Sequence, residues 1–515
     1  MIEVEFARRG DADGAALILG VGRDRKLTTM ARAFDARGQL QRAVKKTKAF
    51  RGKIGQSLEV PAPAGGASGA GRVILLGLGQ PATQAPTPGP RQALALGGVA
   101  AGALAGRPEN RVVVDLGLDA EGAARFALGL ALRAAGRVDL ASRPREAGDM
   151  APVPITRATL LTPFPRVAAE LWESLKEVAA GVLLARRLTD LPANLMDPAA
   201  MVDQARRLTE MGVGLEVIEG PAVAAAGLGL LAAVGQGSAR PPALAVLSWR
   251  PRPDDPRPPV MLVGKGLCFD SGGLSIKPAG GMATMKDDMA GAATVLGTLR
   301  AVAGARLDVP VVGLLALAEN MPSGSAFRPG DVLTSVSGTT VEVIDTDAEG
   351  RLVLADALGW GIRTLKPRAV IDLATLTGSV VATLGRHKGG LFSRHDDLAA
   401  ALSAHGEATA EDLWRLPLPE DEVEELQSPI ADIRQCAPAG GLLPDALHAA
   451  AFLSRFVPED VPWAHLDIAG VGCGTDPEAE DAPSPRPVPW LDDGGAPGFG
   501  VRLLFEWLRS GQETA

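Results

Sequence analysis

The sequence has no tyrosine and very few of the residues that most often bind zinc. It contains three cysteines and five histidines in 515 residues. Cys268, Cys436 and Cys473 show neither zinc-site nor disulfide spacing, which predicts a reducing compartment. No HExxH pair occurs. A bound metal would therefore take its ligands from carboxylates, backbone groups or a lysine that has lost its proton.

Membrane and secretion signals are also missing from the sequence. No apolar run reaches the length that spans a bilayer. The first twenty residues lack the basic-then-apolar layout of a signal peptide. A net charge of −8 disfavours non-specific binding to nucleic acid or to anionic membranes. We therefore expect a cytoplasmic protein without a membrane or nucleic-acid partner.

The length and the residue pattern predict two α/β domains. A chain of 515 residues that is 46% hydrophobic is too long for one ordinary domain. Residues 1–165 alternate short apolar strands with helices, and a continuous helical pattern over Val167–Leu191 predicts a linker helix at 166–190. Strand–helix alternation resumes over 191–515. It predicts a larger α/β/α domain with a mostly parallel central sheet.

Two Gly-rich, apolar segments, 263–288 and 345–352, carry an unusual set of charges. The charged residues that stand out are Lys265, Asp270, Lys277, Asp288, Asp347, Glu349 and Arg351. Carboxylates brought together repel one another unless cations lie among them. Divalent metals take oxygen ligands, and two metals that share carboxylates suit hydrolysis. The alternative, a solvated loop with surface ion pairs, fits poorly because the charges are interleaved with glycines and apolar residues.

The predicted elements bring these charges together. Pro259–Val263 is predicted as a buried strand that ends where the charges begin, and Asp288 opens a helix. Asp347 and Glu349 lie between a second strand and a helix predicted from Arg351 to Leu365. In open α/β sheets, ligands bind at the carboxyl ends of strands. We therefore expect both strand-to-helix junctions to face one cleft.

At these residues the sequence resembles the leucyl (cytosol) aminopeptidase family. The signature octapeptide of that family, NTDAEGRL, stands here as DTDAEGRL at 345–352, with Asp345 in place of asparagine. The resemblance covers roughly residues 180–475. It extends to the segments GKGLCFDSGGLSIKPAGGMATMKDDMAGAA, NMPSGSAFRPGDVLTSVSG and WAHLDIAG. For residues 1–165 it implies a macro-like fold.

The resemblance implies a set of metal ligands. It assigns two divalent ions, manganese or zinc, to five residues: Lys265, Asp270, Asp288, Asp347 and Glu349. Asp270 and Glu349 would bridge both ions, and Lys265 would bind as a neutral amine. A water between the two ions would be the nucleophile, and the free amine of the substrate would bind one ion and Asp288.

Other roles are implied for residues around these ligands. Lys277 would remain protonated and stabilise the developing oxyanion, and Arg351 would hold a bicarbonate ion that acts as general base. Met285, Thr375 and Gly378 would line the substrate side-chain pocket, although Met285 is equally well interpreted as a core methionine. The segment 438–450, GGLLPDALHAA in its core, is longer than the corresponding segment of the family.

The resemblance therefore predicts a homohexameric aminopeptidase that removes apolar amino-terminal residues, such as leucine, from peptides. Two other functions remain as alternatives. Some members of the family also bind DNA as regulators, which the acidic composition disfavours. A catalytically inactive scaffold is disfavoured because all seven charged residues are present.

Overall fold

The computed structural model divides the chain into two compact units. It describes residues 2–61, 70–82, 88–140, 142, 155–418, 423–438, 443–474, 488–491 and 495–511. The first unit comprises the described residues of Met1–Ala179 and Pro487–Asp493. The second comprises those of Ala180–Arg486 and Gly494–Ala515.

The first unit is a mixed sheet with helices. Its strands are β1 (Glu3–Ala7), β2 (Ala16–Val21), β3 (Ser57–Pro61), β4 (Arg72–Gly77), β5 (Arg111–Asp115) and β6 (Arg157–Leu161). Its helices are α1 (Thr29–Ala33), α2 (Gln39–Lys46), α3 (Pro90–Leu104) and α4 (Ala120–Ala134). The strand order is β1-β6-β5-β2-β4-β3, and each described pairing is parallel except β3 with β4. Every residue of β2 is buried, as expected for a central parallel strand.

A long helix, α5 (Pro165–Asp190), occupies the stretch that the sequence pattern predicts as helical. The division between the two units lies within this helix, at Ala179 and Ala180. In the described part of the chain, no helix combines the length and the apolar character needed to cross a bilayer.

The second unit contains the larger sheet. Its strands are β7 (Gly214–Glu219), β8 (Ala243–Trp249), β9 (Val260–Asp270), β10 (Val311–Asn320), β11 (Val332–Thr334), β12 (Thr340–Glu342), β13 (Ala369–Ala374), β14 (Gly389–Phe392), β15 (Leu413–Arg415), β16 (Ile433–Arg434) and β17 (Trp463–Asp467). The order of the large sheet is β15-β14-β17-β13-β9-β10-β8-β7. Its centre, β17-β13-β9-β10, is entirely parallel, as predicted. The strands β11, β12 and β16 form a separate small sheet.

Helices cover the large sheet. They are α6 (Pro198–Arg207), α7 (Pro221–Ala225), α8 (Gly229–Gly235), α9 (Ala279–Met282), α10 (Ala290–Gly304), α11 (Gly350–Leu365), α12 (Gly378–Leu384), α13 (Asp396–Thr409), α14 (Asp445–Ser454) and α15 (Val501–Ser510). Short 3₁₀ turns span Leu208–Met211, Met285–Asp287 and Glu424–Leu426. The side chains of Met261 and Val263 in β9 join a core that includes residues of α8, α11 and α14.

The prediction that the strand ends at Val263 is wrong. β9 continues to Asp270, so Lys265 lies in the middle of a buried strand and Asp270 at its end. By strand alternation the Lys265 side chain shares a face with Met261 and Val263, towards α11. A lysine is tolerated there because carboxylates surround its amine, a compensation that the hydrophobic pattern alone does not reveal.

The parallel strands end together at one edge of the sheet. Asp270 at the end of β9 is the register partner of Asn320 at the end of β10. Ala374 at the end of β13 is likewise the partner of Asp467 at the end of β17. Polar side chains from three central strands therefore gather at the carboxyl edge, where sheets of this class place their sites.

Candidate metal centre

Four carboxylates and two lysines form one cluster at this edge. The Lys265 amine lies 2.8 Å from Asp288 Oδ2 and 3.0 Å from Glu349 Oε1. The second lysine of the cluster, Lys277, lies 2.9 Å from Asp270 Oδ2 and 2.5 Å from Asp347 Oδ1. The structure thus brings together six of the seven charged residues that the sequence singled out.

The elements explain how residues distant in sequence meet. Strand β9 supplies Lys265 and Asp270, the 3₁₀ turn precedes Asp288, and Glu349 is the residue before α11. After Asp270 the chain reverses through two glycines with positive φ, Gly272 at 86° and Gly273 at 64°. Those angles suit glycine. The reversal leads to the loop that returns Lys277 to the cluster.

Most of the cluster is withdrawn from water. Lys265, Asp270 and Asp288 are at most 5% exposed, and Glu349 is 1% exposed. The Lys277 side chain is 17% exposed. Buried charges have to be paired or to bind metals, and four carboxylates exceed two ammonium groups.

The excess of carboxylates shifts several pKa values. Burial and the neighbouring Asp270 carboxylate raise the pKa of Glu349 to about 8. Burial also raises the pKa of Asp288 to about 6, although Lys265 acts in the opposite direction. Burial likewise raises the pKa of Asp347 to about 6, although its hydrogen bond with Lys277 acts to lower it. The cluster therefore takes up protons near neutral pH unless a cation compensates the negative charge.

The lysines respond in the opposite way to their surroundings. Burial lowers the pKa of Lys265, but the surrounding carboxylates, Asp288 first among them, raise it by more. The pKa therefore lies above the ordinary lysine value. The pKa of Lys277 is raised by the same balance, with Asp270 first. A neutral Lys265 amine thus requires a cation that competes with a proton for its lone pair.

The donor set fits divalent metal ions. Oxygen atoms of Asp270, Asp347 and Glu349 lie within 4.8 Å of one another. Glu349 Oε2 is buried and accepts no hydrogen bond from any residue that the structure describes. A buried carboxylate oxygen without a donor is costly, and hard divalent cations favour such oxygens. Residues and geometry are therefore consistent with the metal site that the sequence predicts.

Asn320 is a site residue that the sequence reasoning missed. Its Nδ2 donates to Asp270 Oδ1 at 2.8 Å and to the Thr346 carbonyl at 2.9 Å. It is fully buried. Asn320 therefore orients one carboxylate oxygen of Asp270 and ties β10 to the turn before Asp347. The one available signal was its position, as a polar residue that ends an apolar strand within a motif shared with the family.

Of the residues predicted for a substrate pocket, Thr375 and Gly378 follow β13, and Met285 lies in the 3₁₀ turn before Asp288. Thr375 is almost buried, and its hydroxyl donates to Asp288 Oδ1 at 2.7 Å. Gly378 is exposed, and a Cβ built there meets no described atom within 4 Å. Met285 is half-buried in the 3₁₀ turn next to Asp288, so it is not a fully enclosed core residue.

The loop that carries Thr375 and Gly378 is fastened by Asp467. This buried carboxylate accepts hydrogen bonds from the Leu376 amide at 3.2 Å and from the Thr377 hydroxyl at 2.7 Å. The Lys265 amine also donates to the Thr375 carbonyl at 3.2 Å. The loop is thus bonded both to β17 and to the charged cluster.

Arg351 is the second residue of α11, and its guanidinium bonds to residues outside the cluster. Its Nη1 donates to the Gln435 carbonyl at 3.1 Å, and its Nη2 donates to Asp445 Oδ1 at 2.8 Å. The side-chain amide of Gln435 donates to the Asp345 carbonyl at 2.7 Å and accepts from the Ile344 amide at 2.6 Å. Sequence reasoning missed both Gln435 and Asp445. Of the longer segment 438–450, residues 439–442 lie outside the described residues.

Comparisons with known proteins agree over nearly the whole chain. The models described as the cytosol aminopeptidase family's catalytic domain and N-terminal domain match residues 183–505 and 18–135. A protein of Methylobacterium radiotolerans named "Probable cytosol aminopeptidase" is 42% identical over 519 residues, covering 99% of this chain and 98% of its own. One of the same name from Rhizobium meliloti is 41% identical over 506 residues, covering 98% and 97%.

Two solved structures have the same architecture. The bottromycin maturation enzyme BotP in complex with Mn is 34% identical, with a TM-score of 0.78, and the match covers 97% of this chain and 100% of that one. A mutant of tomato leucine aminopeptidase is 31% identical, with a TM-score of 0.83, covering 99% and 97%.

Proposed function

The chain belongs to the cytosol aminopeptidase family, and from that premise we propose that its site holds two divalent metal ions and prefers peptides with an apolar amino-terminal residue. The enzyme is a metal-dependent aminopeptidase, a hydrolase of peptides. The observation that carries the proposal is the buried cluster in which oxygens of Asp270, Asp347 and Glu349 approach within 4.8 Å. The manganese named for BotP supports Mn²⁺ as one of the ions.

We assign the holding of the ions to five side chains. Asp270 and Glu349 would be shared by both ions, Asp347 would complete the ligands of one, and Lys265 and Asp288 would complete those of the other. When bound, the ions would lower the pKa of a water towards neutrality, so that it can lose a proton and attack a peptide carbonyl. The buried Oε2 of Glu349 accepts no hydrogen bond from a described residue, which supports a role for it as a ligand shared by both ions.

The remaining charges bind and orient the substrate. Lys277 is partly exposed and carries a charged amine, so it is suited to donate to the carbonyl oxygen as negative charge develops there. Asp288 offers a carboxylate for the free amine of the substrate, and its Oδ1 is already oriented by Thr375. Recognition of that amine restricts cleavage to the first peptide bond. We propose that Met285, Thr375 and Gly378 border the space for the first side chain; of these, Gly378 is exposed and Met285 is half-buried.

We also propose a homohexamer in the cytoplasm. The resemblance to the family supports the assembly, and the name cytosol aminopeptidase of its relatives supports the compartment. Light scattering should give a mass six times that of the 53.0 kDa chain. A monomeric mass at working concentrations would refute the assembly.

A panel of chromogenic aminoacyl substrates tests the proposed specificity. The purified chain is stripped with EDTA, reloaded with Mn²⁺, Zn²⁺ or Co²⁺, and assayed on leucyl, alanyl, glutamyl and lysyl substrates, with an amino-blocked leucyl substrate as control. We expect hydrolysis of leucyl substrates in the reloaded enzyme and none of the blocked one. Equal rates on blocked and free substrates would contradict exopeptidase action, and a preference for charged residues would contradict the apolar pocket.

A further inference from the structure

The charged cluster has an enclosed end and an open end. The Asp288 side chain, which pairs with Lys265, is 6% exposed. The Asp347 side chain, which pairs with Lys277, is 31% exposed. Solvent therefore reaches the cluster on the side of Asp347 and hardly at all on the side of Asp288.

This asymmetry sets the direction of a bound peptide. In the function proposed above, the free amine of the substrate binds at Asp288. The Thr375 hydroxyl, which donates to the same carboxylate at 2.7 Å, lies beside the first residue. The peptide cannot continue past Asp288, because that end of the cluster is buried. The second residue of the substrate is therefore expected to lie beside Asp347 and its neighbours.

Asp345 borders the open end of the cluster. Its Oδ1 accepts a hydrogen bond from the Asp347 amide at 2.9 Å, and its backbone carbonyl accepts one from the Gln435 side chain at 2.7 Å. These bonds hold the half-buried residue beside Asp347. Among the residues that the structure describes, none donates a hydrogen bond to Oδ2 of Asp345, and no lysine or arginine pairs with its carboxylate.

The negative charge of Asp345 is not required by the turn that it stabilises. Asparagine, which the family signature has at this position, offers the same side-chain oxygen to the Asp347 amide. The aspartate therefore adds only a charge. Two divalent ions would balance the four carboxylates of the cluster, so the charge of Asp345 would be left over. Because like charges repel, a carboxylate at this place is favourable only when a further cation approaches it.

We propose that Asp345 selects substrates whose second residue is cationic, a lysine or an arginine. The proposal rests on the aminopeptidase function assigned above and deepens it. The Asp345 carboxylate pairs with the ammonium or guanidinium group of that residue while the amine of the peptide is held at Asp288. Asp345 thus acts on the binding of the leaving residue and takes no part in proton transfer.

The test compares leucyl-lysine amide with leucyl-(Nε-acetyl)lysine amide, which has a side chain of similar shape without the charge. Chromogenic leucyl substrates have no second residue and do not report this preference. We expect the metal-loaded wild type to favour the lysine peptide in kcat/KM by roughly fivefold at low salt, as for a partly exposed ion pair. The difference should lie mainly in KM. It should disappear in about 1 M sodium chloride, where the Debye length is about 3 Å.

Substitutions of Asp345 separate its charge from its place in the turn. Asp345→Asn should make the two kcat/KM values equal, because Oδ1 is retained and only the charge is lost. Asp345→Ser, which also offers an oxygen to the Asp347 amide, serves the same purpose if the asparagine variant does not fold. Asp397→Asn is the matched control, because it removes one exposed carboxylate in α13 and leaves the cluster intact. It should keep the wild-type preference and its salt dependence.

Two results would overturn the proposal. One is a wild type that hydrolyses both peptides with equal kcat/KM at low salt. The other is a preference for the lysine peptide that Asp345→Asn retains. Either result leaves the aminopeptidase function standing. Hydrolysis of neither peptide, and of no chromogenic leucyl substrate, would instead overturn that function and the inference with it.

Discussion

At the residue scale, the site is governed by an imbalance of charge. Asp270, Asp288, Asp347 and Glu349 face only two lysines, and burial prevents water from screening the excess. The pKa of Glu349 consequently rises to about 8, while those of Asp288 and Asp347 rise to about 6. Metal ions would remove this imbalance, so metal affinity and the protonation of the cluster are coupled.

The two lysines should respond differently to substitution. Lys265→Met removes the amine at similar length, so we expect loss of a metal ion because a ligand is missing. Lys277→Ala should keep both ions and lose turnover by roughly 10²–10³, as for a typical oxyanion donor. Elemental analysis beside steady-state kinetics measures both effects. If Lys277→Ala loses metal while Lys265→Met keeps two ions, the two roles are reversed.

Substitution of Gly350 should reduce metal binding as much as substitution of a metal ligand. A Cβ at this position would lie 2.4 Å from Lys265 Cε and 2.6 Å from its Nζ. We therefore expect Gly350→Ala to displace the amine, lower metal occupancy and cost about 1–3 kcal/mol of stability through overpacking. Gly280→Ala is the control, since its Cβ meets no described atom within 4 Å. Unchanged metal content in Gly350→Ala would show that the Lys265 amine does not need its present position.

The sequence predicted the charged residues of the site but not their neutral partners. Lysines and carboxylates in apolar, Gly-rich surroundings stand out because burying them unpaired is costly. Asn320 and Gln435 carry no charge, and their importance arises from side-chain hydrogen bonds to residues 26 to 91 positions away in sequence. Asp445 looks like an ordinary helix-start aspartate until its partner Arg351 is seen.

At the scale of elements, apolar runs and turn residues predicted an alternation of strands and helices, and both units show it. The prediction failed where tertiary contacts override the local pattern. Strand β9 continues through Lys265 because the partners of that lysine come from other elements. The helical segments α7 and α8 are separated by Gly227, which has φ +80°. The second predicted strand, which precedes Asp347, is the short β12 and ends at Glu342, since the Ile344 amide bonds to Gln435 instead.

The buried carboxylate of Asp356 connects α11 to α8 and to the loop at Val336. Asp356 of α11 accepts hydrogen bonds from the amides of Leu230 at 2.7 Å, Leu231 at 3.0 Å and Val336 at 2.8 Å. It is fully buried, and burial raises its pKa from 3.8 to about 7 although the three amides act to lower it. Asp356 thus fixes the start of α8 and the loop at Val336 against α11.

The raised pKa of Asp356 predicts a pH effect on stability. Between pH 4 and pH 7 the folded protein holds a proton at Asp356 that the unfolded chain has lost, so stability falls as pH rises through this window. From pH 5 to pH 8 the loss is roughly 2–3 kcal/mol. Asp356→Asn has no titrating group there, so urea unfolding of both proteins in the same chelated buffer should show a shallower pH dependence for the variant. Parallel curves would contradict the raised pKa.

At the scale of the whole molecule, the proposed chemistry belongs to the second unit. Every ligand assigned to the metals, together with Lys277, Arg351 and Asp445, lies in Ala180–Arg486. The family matches nevertheless extend over both units, and the relatives align over almost their full length. Two α/β units, the larger with a mostly parallel sheet, were predictable from alternation and length. The macro-like nature of the first unit, the hexamer and the ligand set remain predictions.

The most direct test of the central claim is the metal content and activity of Glu349→Gln beside Asp345→Asn. Glu349→Gln keeps the shape of the side chain but removes the charge proposed to lie between both ions. Asp345→Asn keeps the Oδ1 that accepts from the Asp347 amide at 2.9 Å, and it restores the residue of the family signature. We predict two ions per chain and full leucyl-substrate hydrolysis in Asp345→Asn, and loss of metal and of activity in Glu349→Gln. A Glu349→Gln enzyme with two ions and wild-type turnover would contradict the account.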